Sequence, residues 1–128
     1  MIEEKLKKIF DKHEEILFAY LFGSMARGEA GKDSDVDMGI YIDEKKNIKL
    51  FYEMELAEEI ERETNLKGVE IVILNGKSLR FLNQVLRYGK LIFSRDEKAR
   101  ILFETTVTKK YIDFKPYFEE YDKMRLKI

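Results

Sequence analysis

The stretch that decides the fold runs from residue 23 to residue 42 and reads GSMARGEAGKDSDVDMGIYI. The apolar run ILFAYLF, residues 16 to 22, precedes it and has the length of a buried strand, which Gly23 and Ser24 end with a turn. Residues 28 to 34 are rich in turn-forming residues, and residues 36 to 42 have strong strand character. The sequence therefore predicts two strands joined by a turn-rich segment.

Two aspartates lie one residue apart at the start of the second predicted strand. Side chains alternate along a strand, so Asp35 and Asp37 should point to one face while Val36 and Met38 point to the other. The Cα atoms of the two aspartates should then be about 7 Å apart, close enough for their carboxylates to share a pair of metal ions. Mg²⁺ is a hard cation that takes oxygen ligands, so we expect a magnesium site at Asp35 and Asp37.

The rest of the chain predicts helices and two further strands. Apolar spacing and turn signals predict helices over residues 2 to 15, about 49 to 64, and 78 to 88, and strands over residues 69 to 74 and 91 to 94. Ser78 and Gly89 should begin and end the third helix, and Asp96 should cap a last one. The only proline, Pro116, should bend or divide that last helix near Asp113.

Glu70 is the only charged residue in the third predicted strand, VEIVIL. Its neighbours Val69 and Ile71 are apolar, which indicates a buried or cleft-facing carboxylate. Such a group can activate an incoming hydroxyl. The alternative is a carboxylate on the rim of an edge strand, without a role in a site.

The turn at Gly23 and Ser24 suits the binding of phosphate. It offers backbone N–H groups without steric hindrance, together with a hydroxyl. We expect residues 24 to 27 to form a short helix whose N-terminus faces the phosphate, with Arg27 supplying a cation. The alternative for Arg27 is a surface ion pair with Glu29 or Asp33.

The segment GSMARGEAGKDSDVDMGIYI resembles the nucleotidyltransferase signature of the DNA polymerase beta superfamily, which is Gly-Ser, a ten-residue spacer and Asp-x-Asp. Within it, Ala26-Arg27-Gly28 and Ser34-Asp35 are similar to the minimal nucleotidyltransferase branch. The resemblance covers about residues 1 to 95. It implies an α/β (α+β) fold with a small mixed sheet of three to four strands, flanking helices and a helical C-terminus. We interpret residues 1 to 128 as one domain, with its core over 1 to 95 and a helical extension over 96 to 128.

The same resemblance implies a site for ATP and two Mg²⁺ ions. The nucleotide-binding role falls on Gly23, Ser24, Arg27 and Ser34. Catalysis and metal binding fall on Asp35, Asp37 and Glu70.

The tail YIDFKPYFEEY, residues 111 to 121, resembles the C-terminus of minimal nucleotidyltransferases that act as antitoxins to HEPN-domain ribonuclease toxins. In such pairs the antitoxin transfers AMP from ATP to a tyrosine of the HEPN partner and also binds it. The resemblance therefore implies a HEPN-domain partner, and we expect either a homo-oligomer or a hetero-oligomer. The aromatic residues of this tail favour packing or a partner surface over a platform for a nucleobase.

One departure from the family leaves alternative functions open. The family generally has aspartate where this chain has Glu70, and a displacement of about 1 Å in a catalytic group can cost around a hundredfold in rate. One alternative is a weak or inactive transferase that neutralises a HEPN toxin by binding alone. The other is a transferase for a small molecule of the aminoglycoside type, although the short chain has no acidic cluster beyond the motif to bind a polycation.

Composition excludes several other classes of function. The chain has 24 basic and 25 acidic residues and a net charge of -1, so it lacks the basic excess of proteins that bind nucleic acid directly. It has no cysteine, which excludes disulfides and thiolate chemistry. The sequence contains no apolar run long enough to span a membrane and no signal-peptide pattern. We expect a cytoplasmic protein.

Overall fold

The computed structural model of the protein describes residues 2–23 and 36–126. In these residues the elements are, in chain order, α1 (Ile2–Asp11), β1 (Ile16–Phe22), β2 (Val36–Ile42), α2 (Tyr52–Thr64), β3 (Val69–Ile73), α3 (Leu79–Tyr88), β4 (Lys90–Ser94) and α4 (Glu97–Leu126). Both strands that flank the turn-rich segment have the bounds that the sequence predicts.

The four strands form one sheet in the order β3-β2-β1-β4. β1 is antiparallel to both β2 and β4, whereas β2 and β3 run parallel. The sheet is therefore mixed, and the expected fold class is confirmed. β3 and β4 form the two edges of this sheet.

One face of the sheet packs against α1 and α2. The core here contains alternate residues of β2, including Val36, Met38 and Ile40, which lie against buried residues of the two helices such as Phe10 and Ile60. Leu6, Ile9 and Phe10 are buried in α1 while its charged residues face solvent, as expected for an amphipathic helix. The predicted alternation along β2 is thus confirmed for the residues from 36 to 42.

The opposite face of the sheet packs against α3 and α4. Phe18 and Tyr41 stack with their ring centroids 4.9 Å apart, and Phe103 of α4 lies 5.2 Å from the Tyr41 ring. The Tyr20 hydroxyl donates a hydrogen bond of 2.6 Å to Glu104. Burial and the neighbouring Glu104 carboxylate raise the pKa of Tyr20 above its usual range. These contacts fix the first half of α4 on the sheet.

Pro116 does not divide the last helix, because α4 continues from Glu97 to Leu126 with the proline inside it. Contacts on both sides of the proline hold the helix. Before it, Glu104 binds β1. After it, Asp122 accepts two hydrogen bonds from Arg80 of α3, and the Arg80 guanidinium lies 5.1 Å from the centre of the Phe118 ring. These contacts offset the hydrogen bond that proline cannot donate.

Two other helices are shorter than the sequence predicts. α1 ends at Asp11 rather than at residue 15, and α2 begins at Tyr52 rather than near residue 49. Phe51 precedes α2 with a φ of 67°, a left-handed conformation that a helix cannot continue through. In the part of the chain that the structure describes, no helix is both long and apolar enough to cross a membrane.

Arg95, directly after β4, holds the end of α1 against the start of β1. Its Nε donates to the carbonyl oxygen of Ile16 at 2.7 Å, and its Nη2 donates to that of Phe10 at 2.8 Å. Nη2 also lies 3.1 Å from each of the carbonyl oxygens of Asp11 and His13. The last carbonyl groups of a helix have no partners within the helix, and a cation at that end is favourable. One side chain therefore closes α1 and joins three elements.

We predict that Arg95→Ala lowers the free energy of unfolding by about 1 to 2 kcal/mol, because hydrogen bonds to a charged donor contribute at most about 3 kcal/mol and this guanidinium is partly in water. Arg95→Lys should restore only part of the loss, since an ammonium cannot reproduce the planar set of donors. Urea denaturation measures both. Arg87→Ala on the surface of α3 is the control, and an equal loss in that variant would contradict the prediction.

Candidate active site

Gly23, Asp37 and Glu70 meet at one end of the sheet. In the strand register Phe22 pairs with Asp37 across β1 and β2, and Asp37 pairs with Glu70 across β2 and β3. Asp37 lies two and four residues before Gly39 and Tyr41, so its side chain is on the α3 and α4 face of the sheet. Three of the predicted site residues are therefore brought together, Gly23 from directly after β1, Asp37 from β2 and Glu70 from β3.

Gly23 leaves the space that the Asp37 carboxylate occupies. Its φ is 82°, in the left-handed region that favours glycine. A Cβ atom built at Gly23 would lie 2.6 Å from Asp37 Oδ2 and 3.5 Å from Asp37 Cγ. A side chain here would thus displace the carboxylate as well as strain the backbone. The sequence predicted a role for Gly23 through its backbone N–H group, but this steric role follows only from the structure.

Glu70 is exposed, so of the two expectations for this carboxylate, buried or cleft-facing, the buried one is wrong. The physical reason is its place on β3, which is an edge strand with a neighbour on one side. The alternative of a rim carboxylate is correct about its exposure. Even so, Glu70 is in register with Asp37 on the adjacent parallel strand, and such strands lie about 4.8 Å apart. Asp37 and Glu70 are therefore neighbours across β2 and β3.

The other four predicted site residues are Ser24, Arg27, Ser34 and Asp35, and they lie outside the described residues. Their roles stay predictions. The described chain resumes at Val36, whose N–H donates to the carbonyl oxygen of Gly68 at 2.9 Å. This bond fixes the start of β2 beside the start of β3.

The described carboxylates have the chemistry of a site for a hard cation. Asp37 is partly exposed and Glu70 is exposed, so ions can reach both. Two like charges side by side on neighbouring strands destabilise each other, and a cation between them offsets that repulsion. Within residues 2–23 and 36–126 no group of three or more potential metal-binding side chains is present. The residues fit a divalent cation such as Mg²⁺, with Asp35 as the further expected ligand.

Sequence reasoning missed a cavity of about 150 Å³ that opens beside Gly23. The described residues that line it are Phe22, Gly23, Phe81, Gln84, Val85 and Tyr88. Three of these, Phe81, Gln84 and Tyr88, follow each other at helical spacing on α3. That spacing was the available signal, but a single helix face does not show which strand end it will lie against.

The sequence pattern of the family described as polymerase beta nucleotidyltransferase matches residues 4–98. A protein of Methanocaldococcus jannaschii, MJ1379, which is provisionally assigned as a protein adenylyltransferase, is 32% identical over 82 residues. That alignment covers 59% of this chain and 79% of the relative.

Solved structures share the fold at lower sequence identity. A toxin–antitoxin solved with AMP-PNP contains a chain that superposes with a TM-score of 0.79 at 21% identity, covering 98% of this chain and 99% of that one. A complex of a tri-AMPylated Shewanella oneidensis HEPN toxin with its MNT antitoxin contains a chain with a TM-score of 0.73 at 20% identity, covering 98% and 96%. The family pattern spans most of the chain on a matching fold, and the chain belongs to the polymerase beta nucleotidyltransferase family.

Proposed function

We propose that this protein transfers AMP from ATP, with Mg²⁺, to a tyrosine hydroxyl of a HEPN-domain ribonuclease toxin and so acts as its antitoxin. The observation that carries the proposal is the register that places Asp37 beside Glu70, with Gly23 against the Asp37 carboxylate. The relative assigned as a protein adenylyltransferase supports a protein acceptor. The AMPylated HEPN toxin in one of the similar solved structures supports a HEPN-domain protein as that acceptor.

In the proposed reaction the tyrosine oxygen forms a bond to the α-phosphorus of ATP. The bond from that phosphorus to the oxygen bridging toward the β-phosphorus breaks, and pyrophosphate leaves. Glu70 takes the proton of the hydroxyl. Asp35, Asp37 and Glu70 would hold Mg²⁺, which supplies positive charge to the phosphate oxygens. Gly23, Ser24, Arg27 and Ser34 bind the nucleotide in this proposal.

The second half of α4 offers a surface for the partner. Phe114, Tyr117, Tyr121 and Met124 recur at intervals of three and four residues, which places them on one stripe of the helix. All four are large and roughly half exposed or more, from 49% for Phe114 to 68% for Tyr117. A contiguous exposed apolar stripe of this kind is typical of a protein-binding surface. We therefore propose that residues 1 to 128 work as one domain, in which the core catalyses and the extension binds the HEPN partner.

The role of Gly23 can be separated from backbone strain with a matched glycine. Gly76 has a φ of 76°, close to that of Gly23, but a Cβ built there meets nothing within 4 Å. We predict that Gly23→Ala and Gly76→Ala each cost about 1 kcal/mol in stability, because both force alanine into a left-handed conformation. Only Gly23→Ala should weaken Mg²⁺-dependent ATP binding, since only it displaces the Asp37 carboxylate. Calorimetry and thermal unfolding measure the two effects, and equal ATP binding in both variants would contradict the prediction.

The metal assignment predicts that Asp35→Asn and Asp37→Asn each weaken Mg²⁺-dependent ATP binding. Removing even a supporting residue of a metal site costs about 10- to 100-fold in affinity, so a ligand should cost at least that much. Asp43→Asn, just beyond the other end of β2, is the control and should bind ATP normally. Titration calorimetry with and without Mg²⁺ provides the measurement. If both aspartate variants bind like the wild type, the site assignment is wrong.

The role of Glu70 predicts opposite effects from two substitutions. Glu70→Gln should abolish transfer, because it removes the charge and the base. Glu70→Asp should keep or raise transfer, because it restores the side chain that the family generally has. Mass spectrometry of a HEPN-domain protein, after incubation with this chain, ATP and Mg²⁺, counts each added AMP as a discrete mass increment.

Binding of the partner is measured alongside, by gel filtration of the mixture. Both Glu70 variants should still form the complex, since the α4 stripe lies outside the site. A wild-type protein that forms the complex but adds no AMP would overturn the transferase proposal. That outcome would leave a protein that neutralises the toxin by binding alone.

A further inference from the structure

The cavity beside Gly23 has no role in the phosphate chemistry described above. It shares Gly23 with the site, and Phe22 in its wall pairs directly with Asp37 in the sheet. The cavity therefore opens next to Asp37, at the end of the sheet where Asp37 and Glu70 lie side by side. Its volume of about 150 Å³ is well below that of a site for a whole small molecule, which is about 300 to 1,000 Å³. It has room for one ring system of a larger ligand.

Helix α3 supplies the wall of this cavity that faces Gly23. Gly89 brings the end of α3 close to β1, since a Cβ built at Gly89 would lie 3.1 Å from the Leu21 carbonyl oxygen and 3.4 Å from Phe22 Cβ. The Phe22 and Phe81 rings meet edge to face with their centroids 5.8 Å apart. Val85 is buried behind them, while Gln84 and Tyr88 are exposed at the mouth. The position of the cavity is thus fixed by packing, and its polar groups remain accessible.

Among the described residues, the lining combines aromatic rings with the carboxamide of Gln84. Aromatic side chains stack on nucleobases of any kind. A glutamine side chain is more selective, because its carboxamide oxygen accepts from the N6 amino group of adenine while its NH₂ group donates to adenine N7. Guanine presents two acceptors at the corresponding positions, which a carboxamide cannot match as well. The phenol ring of an acceptor tyrosine could also stack on these aromatic rings. It has only one polar group for Gln84, however, whereas adenine has two.

We propose that this cavity binds the nucleobase of the nucleoside triphosphate, with Tyr88 stacking on the ring and Gln84 selecting adenine over guanine. The inference rests on the proposed function, because it requires that the triphosphate binds at Asp37. It makes α3 the element that determines the choice of nucleotide. The triphosphate contacts and the base contacts are then separate sets of residues joined at Gly23.

The test measures Mg²⁺-dependent binding of ATP, GTP and inorganic triphosphate by calorimetry. Gln84→Ala should reduce the preference for ATP over GTP by about tenfold, which is within the range for one bidentate base contact. Gln84→Arg should shift the preference toward GTP, because arginine pairs with the two acceptors of guanine. Tyr88→Leu should weaken both nucleotides by about tenfold, and Tyr88→Phe should not. Gln84→Ala and the two Tyr88 variants do not change the charge beside the site, so these three should bind inorganic triphosphate like the wild type.

Asn83→Ala serves as the control, because Asn83 lies on the same helix but does not line the cavity. It should leave all three affinities unchanged. An unaltered ATP to GTP ratio in both Gln84 variants would overturn the inference while leaving the proposed function intact. The same holds if Tyr88→Leu leaves nucleotide binding unchanged but impairs AMP transfer to the partner, which would assign the cavity to the acceptor tyrosine. A wild-type protein that binds neither nucleotide nor triphosphate would instead overturn the proposed function itself.

Discussion

A slip of one residue between β2 and its neighbours would turn the apolar side chains of β2 away from α1 and α2 and bury Asp37 in their place. The register of β2 is therefore the constraint on which the rest of the structure depends. It is fixed on one side by antiparallel pairing with β1 and on the other by parallel pairing with β3. The burial of Met38 and Ile40 against the helices strongly favours this register over its neighbours.

The same register divides the two faces of the sheet by function. The face against α1 and α2 is apolar, and the Arg95 side chain closes its rim. The other face carries aromatic packing over much of its length and carboxylates at one end. Because the apolar core holds the backbone of β2 rigidly, Asp37 is positioned before any ligand arrives. Such preorganisation reduces the cost of assembling a charged site.

Helix α4 links the core to the surface that we propose for the partner. Its first half is fixed to β1 through Tyr20 and Glu104, and its second half is fixed to α3 through Arg80 and Asp122. The exposed stripe from Phe114 to Met124 therefore belongs to a helix that is bonded to α3, and α3 lines the cavity beside Gly23. A partner bound to α4 would thus lie on the helical layer that contains the proposed base site. The two helices of this layer are in contact, since Arg80 of α3 lies over the Phe118 ring of α4.

The sequence by itself determined the local elements and the identity of the site-bearing segment. The bounds of β1 and β2 follow from apolar runs between turn signals, and Ser78 caps α3 as its residue type predicts. These features depend on neighbours in the chain, which a sequence displays directly. Tertiary structure alone decided the exposure of Glu70, because that depends on which strand forms the edge of the sheet. It also decided that α4 continues through Pro116, since Arg80 comes from another helix, and that Gln84 and Tyr88 lie beside Gly23. Each of these is set by contacts between residues far apart in the chain, so no local pattern encodes it.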